Sequence, residues 1–315
     1  MITISHKAKQ FLIVVAKLSI VCGAFYFIYQ QLADNDQLDW ERFYILFKKN
    51  QSVSGIAFIL LLSFLNRFFE ILKWQNLVSS FQKISVFEAT KQVLGSMTTG
   101  IFTPNGIGEY AGKSLFFEKI KIKKIIFLNL VCNGIQMILT VLFGTIGLWV
   151  LGFGFWVLGI IIVAFSFWLL ASGVKKIIVK GYSIEKLIRK INEIPKSIHQ
   201  KNMLLGLSRY LIFSHQYYFL YLAFDVDLPY FTMMATIATV YFLASSLPNF
   251  QVFDFAVKGS VAVFFFGNLG VNEWIVIFIS TLIWFLNVVI PVVIGSYFVM
   301  KFSPLASKRG ICNSK

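Results

Sequence analysis

Thr103-Pro104-Asn105-Gly106-Ile107-Gly108-Glu109-Tyr110-Ala111-Gly112-Lys113-Ser114 and Leu247-Pro248-Asn249-Phe250-Gln251-Val252-Phe253-Asp254-Phe255-Ala256-Val257-Lys258-Gly259-Ser260 decide how this chain folds. Both run Pro-Asn, a short break, an acid, and a lysine four residues beyond the acid. Each break interrupts an apolar run and leads into another apolar segment. Proline and glycine end a helix and leave backbone groups without partners. At membrane depth this is tolerated only where the groups are buried in protein or line a wet cavity. The two stretches therefore predict two broken-helix hairpins on one plan, re-entrant or crossing twice.

The rest of the chain supplies the solvent for that plan. Of 315 residues, 57% are hydrophobic and 14% charged. A water-soluble chain of this length carries roughly 25% charged residues to wet its surface. Apolar blocks fall at about 10–32, 53–74, 92–103, 109–118, 125–150, 152–171, 203–224, 230–247, 255–267 and 274–300. Several approach the ~20 residues that cross hydrocarbon as helix, and none shows the alternation of a barrel strand. Phe is abundant at 35 residues, and Trp74, Trp149, Trp156, Trp168 and Trp274 sit near block ends, where interfacial aromatics belong. Lys73 and Trp74 are read as marking such an interface.

The net charge of +15 invites a nucleic-acid reading. The basic residues punctuate apolar blocks instead of covering one soluble face, so no nucleic-acid partner is expected. If each hairpin returns to the side it entered from, six single crossings remain. With the N-terminus in the cytoplasm, twenty-two basic residues fall inside and three outside (Arg42, Lys48 and Lys49), while Arg67, Lys113, Arg209 and Lys258 lie within apolar blocks. That bias predicts a multi-pass cell-membrane protein with both termini cytoplasmic. The first run, Phe11–Tyr29, lacks an A-x-A cleavage pattern and reads as an uncleaved span.

Topology also relates the two hairpins. One opens to the cytoplasm and the other to the outside, so 53–150 and 203–300 are expected to be inverted repeats. The expected fold is all-α, a polytopic helical membrane bundle forming a single domain over 1–315. It divides into a first span and outer loop (1–52), repeat one (53–150), a connecting span and cytoplasmic loop (151–202), repeat two (203–300) and a tail (301–315). In the loop, Ile184, Leu187, Ile188, Ile191, Ile194 and Ile198 recur at helical spacing among lysines, as in an amphipathic helix on an anionic leaflet. Inverted repeats meeting through broken helices carry a substrate site near their interface.

Charges near the bilayer centre are costly and rare. Glu109, Lys113, Asp254 and Lys258 are therefore candidate ligand groups, and residues four apart on a helix share a face, so each acid can neutralise its own lysine. The bland alternative, an ion pair that merely holds each hairpin in place, has equal weight. Pro104, Asn105, Pro248 and Asn249 shape the breaks. Gly106 and Gly108 would let backbone N–H groups approach an anion at a half-helix N-terminus, and lysine serves phosphate as a point charge. Arg67, Glu70 and Arg209 are further substrate-binding candidates. Asn129, Asn133, Gln136 and Asn287 read as interhelical hydrogen-bond donors and acceptors, and Pro291 with Gly295 as a kink in the last span.

Gly106-Ile107-Gly108-Glu109-Tyr110-Ala111 fits G-x-G-x-x-A, but no strand–helix unit surrounds it, and Asp225-Val226-Asp227 is a lone acidic pair. Cys22, Cys132 and Cys312 have no CxxC spacing, and His6, His199 and His215 form no ligand pair. No metal, cofactor or catalytic residue is expected from these patterns.

Taken together, the Pro-Asn hairpins, Lys73-Trp74, the Arg209-to-Gln216 run, Asp254-x-x-x-Lys258-Gly259 and Trp284-x-x-Asn287-x-x-x-Pro291 resemble the lysylphosphatidylglycerol synthase transmembrane-region family. The resemblance spans nearly the whole chain. It implies a flippase-type membrane domain that moves a phospholipid, or a member serving lipid-linked saccharide or envelope pathways. Only 15 residues follow Met300, so the soluble aminoacyl-transferase domain, and with it lysyl transfer, is not implied. Where the family often shows Gly after the first Pro and Arg after the acid, this chain has Asn105 and Lys113. The expected function is translocation of an anionic phospholipid or lipid-linked headgroup through a polar cavity between the hairpins. The alternatives are a membrane enzyme acting on a lipid-linked substrate and a non-catalytic partner of an envelope-lipid enzyme.

Overall fold

The computed structural model describes residues 44–45, 48, 52–101, 103, 106–154, 178–179, 182–247 and 250–300. The expected spans at 10–32 and 152–171, the tail, and Pro104, Asn105, Pro248 and Asn249 lie outside the described residues, apart from 152–154.

Apart from a minimal antiparallel pair, Ile178–Val179 with Tyr182–Ser183, every described element is helical. The order is α1 (Val53–Val78), α2 (Val86–Gly100), α3 (Ile107–Leu115), α4 (Ile122–Val150), α5 (Ile184–Asn192), α6 (Lys196–Ala223), α7 (Tyr230–Ser246), α8 (Asp254–Gly267), α9 (Glu273–Trp284) and α10 (Ile290–Met300). A π turn, Phe285–Val289, joins α9 to α10 without a break in the helix.

Local chemistry sets these limits. The α2 N-terminus is a capping box: Ser85 Oγ accepts from the Glu88 N–H at 3.1 Å, and Glu88 Oε2 accepts from the Ser85 N–H at 2.9 Å. Pro195 and Pro229 stand immediately before α6 and α7, where a missing N–H costs nothing. Asn272 Oδ1 caps α9 through the Trp274 N–H at 2.9 Å. Gly106 takes φ +66° at the start of α3, in the left-handed region that side-chain-bearing residues avoid.

Among the described residues, three helices are long and apolar enough to cross a membrane: Val53–Val78, Lys119–Val150 and Glu273–Met300, with mean hydropathy 1.8, 2.1 and 2.5. The 28-residue α6 is long enough but too polar, because it carries Arg209, Ser214, His215 and Gln216. Large apolar side chains face outward over much of the surface, and several polar ones are sealed within an otherwise apolar core. Val53 is 83% exposed, Met137 66% and Val293 63%, whereas Lys73, Asn129, Asn202 and Gln216 are 0% exposed. Apolar side chains outward and polar ones inward suit a hydrocarbon solvent.

Helix pairing follows a rule. α1 packs on α6; α4 packs on α7, and α10 on α2; α2 packs on α3, and α7 on α8; α3 packs on α4, and α8 on α9; α1 packs on α2, and α6 on α7. Exchanging α1 with α6, α2 with α7, α3 with α8 and α4 with α9–α10 maps these pairs onto one another.

The amphipathic helix is shorter than its isoleucine spacing implies. It ends at Asn192, before Pro195. Ile194 is buried in the apolar cluster that includes Trp74, Val78 and Ile125, and Ile198 is half-buried against that cluster, so they cover the bundle instead of continuing the α5 face.

Candidate functional site

Residues flanking the two Pro-Asn stretches meet. The Val252 N–H donates to the Ile101 carbonyl at 3.2 Å, tying the second break to the first. Gln251 Nε2 donates to Glu109 Oε1 at 3.4 Å, and Trp284 Nε1 donates to the Gln251 carbonyl at 3.3 Å. Beside this junction lies a cavity of about 330 Å³. Its walls include Arg67, Glu70, Glu109, Arg209, Asp254 and Lys258, so six of the side chains singled out from sequence face one space. A second cavity of about 290 Å³ shares Glu109, Asn133, Ser245, Gln251 and Asp254 with the first and adds Gly106.

On the α1–α6 side, Glu70 Oε2 forms ion pairs with Arg209 Nη1 at 2.8 Å and with Lys73 Nζ at 3.1 Å. The Cys132 thiol lies 3.7 Å from Glu70 Oε1. Arg209 also donates to Asn66 Oδ1 at 3.0 Å and to Gln136 Oε1 at 3.2 Å. Arginine is only a donor, so it fixes which end of Asn66 faces it. The remaining Asn66 Nδ2 donates to Asn287 Oδ1 at 2.6 Å, Asn287 Nδ2 to Gln216 Oε1 at 2.9 Å, and Gln216 Nε2 to Ser63 Oγ at 2.5 Å. One direction of donation thus runs from Arg209 through three amides on α1, the π turn and α6. Arg67 donates to the backbone carbonyl of Asn287.

The two acid–lysine motifs behave differently. Lys258 Nζ pairs with Asp254 Oδ2 at 2.5 Å and sits 4.7 Å from the centre of the Tyr241 ring, on the cavity wall. Lys113 does not pair with Glu109. It is 1% exposed, donates to Asn129 Oδ1 at 2.6 Å and lies 4.6 Å over the Trp74 ring. The same-face argument permits a Glu109–Lys113 pair; Asn129 on α4 and Trp74 on α1 offer a sealed alternative. Lys113 is therefore outside the cavity lining.

Lys73 and Trp74 are not interfacial either. Both are 0% exposed, because α1 continues to Val78 and is covered by α2 and α4. Trp74 Nε1 donates to Gln92 Oε1 at 2.7 Å.

Gly108 has a packing role in place of the expected ligand role. Its N–H is taken by Thr103 Oγ1 at 2.8 Å, and a Cβ there would strike the Thr99 carbonyl on α2. The Glu109 N–H is likewise used, by the Gly106 carbonyl at 2.9 Å.

Sequence reading missed the contribution of Gln251 and Tyr241 to the cavity and assigned Asn66 no role. Asn287 and Gln136 were expected to bridge helices; they do so and line the cavity as well. Asn133 donates to the Tyr110 hydroxyl at 3.3 Å and lines both cavities. A signal for Asn287 was present in its position four residues before Pro291.

No known family, curated protein or solved structure matches this chain.

Proposed function

We propose that this chain is a membrane lipid translocase of flippase type, holding a lipid headgroup in the polar cavity while the acyl chains stay in the bilayer. The observation that carries this reading is the cavity itself: ionic side chains from both halves line one space inside a molecule whose outer surface is apolar. An ionisable group at membrane depth is expensive unless it serves a pathway or a partner.

The exchange rule among helix contacts supports reading 53–150 and 203–300 as inverted repeats, with α2–α3 and α7–α8 as the two hairpins. The inside excess of basic residues supports cytoplasmic termini. The resemblance to the lysylphosphatidylglycerol synthase transmembrane region points the same way, with a phospholipid or lipid-linked headgroup as substrate and an envelope-lipid enzyme as a companion class.

The test is leaflet redistribution. Reconstituted protein should transfer acyl-labelled phospholipid between leaflets faster than protein-free vesicles do, and Lys258→Ala should slow it. Equal rates with and without protein sink the reading.

A further inference from the structure

We propose that the chain carries a separate lipid site at its basic end, a pocket that holds the phosphate of an anionic phospholipid of the leaflet read above as cytoplasmic. The pocket shares no lining residue with the polar cavities already described. It has a volume of about 290 Å³ and lies where α1 ends, α4 begins and α5 leads into α6. Lys123, Lys124 and Lys190 line it, with Glu193 as the one carboxylate of the lining. Among the described residues, none of the three lysines has an acid within ion-pair distance. Lys124 Nζ lies 4.7 Å from the centre of the Phe81 ring. Ser80 Oγ, on the same wall, is buried and has no hydrogen-bond partner. A buried hydroxyl without a partner is uncommon and calls for one.

Local sequence adds to the excess of positive charge. Lys123 and Lys124 stand in the first turn of α4, which has no acid and no side-chain cap. Glu118, just before the helix, pairs with Lys121 at 3.6 Å. A helix N-terminus carries partial positive charge, so lysines there are unfavourable unless an anion joins them. A topology signal requires only that lysines lie on one side of the membrane. It does not require them to converge on a pocket with an unanswered hydroxyl. One phosphate answers these features together: it pairs with the lysines, accepts from Ser80 and offsets the charge of the helix end.

The apolar surroundings set the source of that phosphate. Ile120, Phe127, Leu128 and Ile194 complete much of the lining. Ile120, between Lys119 and Lys121, is 88% exposed, and Ile126 is 41% exposed. Exposed apolar side chains interleaved with lysines suit a membrane interface. A free phosphate gains nothing from an apolar wall, whereas a phospholipid lays its glycerol and first acyl carbons on it. Basic pockets between membrane helices take anionic headgroups in this way.

The test is photo-crosslinking of the purified full chain in detergent with phosphatidylglycerol bearing a diazirine at the start of one acyl chain, followed by peptide mapping. Adducts should fall at Ile120, Phe127 or Ile194. Unlabelled phosphatidylglycerol should suppress them at concentrations at least roughly tenfold lower than phosphatidylcholine does, the scale of one hydrogen bond to a charged group. Ser80→Ala should weaken labelling roughly two- to tenfold, a change that a diffuse positive surface would not register. Lys123→Gln/Lys124→Gln should abolish the preference between the lipids. Lys83→Gln/Lys201→Gln, an equal loss of charge outside the pocket, should keep it. The proposal is overturned by an absence of adducts in this pocket, by equal competition from the two lipids, or by a preference that follows total charge instead of the pocket lysines. Suppression by inorganic phosphate at the concentrations where phosphatidylglycerol acts overturns it too, because the ligand would then be free phosphate. Transport through the polar cavity does not enter this readout, so the translocase reading stands or falls separately.

Discussion

The Arg67 guanidinium donates to the backbone carbonyl of Asn287, the carbonyl that Pro291 leaves without its helical partner. Proline has no N–H, so the acceptor four residues earlier is orphaned. The chain answers with a π turn over Phe285–Val289 and with a side chain from another helix. Asn287 itself folds back, its Nδ2 donating to the Ile283 carbonyl at 3.1 Å as well as to Gln216. π turns gather at functional sites because they re-aim side chains, and here the re-aimed residue lies on the cavity wall.

This pairing makes Arg67 and Pro291 energetically coupled. Arg67→Ala should cost about 1–3 kcal/mol, the scale for leaving a buried polar group unpaired. In a Pro291→Ala background the helix can supply its own N–H to Asn287, so the same truncation should cost less. A double-mutant cycle of unfolding free energies should give a coupling of roughly 0.5–3 kcal/mol. Additive losses would show that the carbonyl contact is energetically idle.

The shared carboxylate predicts a lopsided stability response. Glu70→Gln leaves Lys73 and Arg209 facing each other inside the bundle and should destabilise by about 3–5 kcal/mol. Replacing Lys73 by Met as well removes one stranded charge and should recover part of that loss. Thermal melts of the purified variants in detergent measure both effects.

The two motif lysines should separate in function. Lys113→Met should lower the melting temperature, with translocation falling only as far as the folded fraction falls, because Lys113 is sealed against Asn129 and Trp74. Lys258→Met should slow translocation with a smaller change in melting temperature. Cysteine placed at 258 should react with a membrane-permeant thiol reagent, and cysteine at 113 should not. Equal reactivity at both positions would place Lys113 in the cavity after all.

Helix seams give a packing test. At Gly108 and Gly112 an added methyl would press on Thr99, so alanine should cost about 1–3 kcal/mol by overpacking. Gly134 has nothing within 4 Å of a built Cβ, so alanine there should be neutral or stabilise by up to about 1 kcal/mol through helix propensity. Urea or thermal unfolding of the three variants reads the difference.

The sequence by itself determined where the helices are. Among the described residues its apolar blocks and the Gly106 break mark most helix limits to within about four residues, because those limits depend on local chemistry, whereas α2 and α6 begin six and seven residues before their blocks, in the polar stretches 86–91 and 196–202. It also picked out the scarce charges, and Arg67, Glu70, Glu109, Arg209, Asp254 and Lys258 do share one cavity. What only the tertiary structure decided is which charge meets which. Glu109–Lys113 and Asp254–Lys258 have the same spacing, so helix geometry offers both the same pair. Lys258 takes it, with Tyr241 beside it. Lys113 leaves it, because α1 and α4 place the Trp74 ring and the Asn129 amide where the lysine can be buried and still partnered. A buried cation goes to the best set of partners in space, and that set comes from helices far apart in the chain.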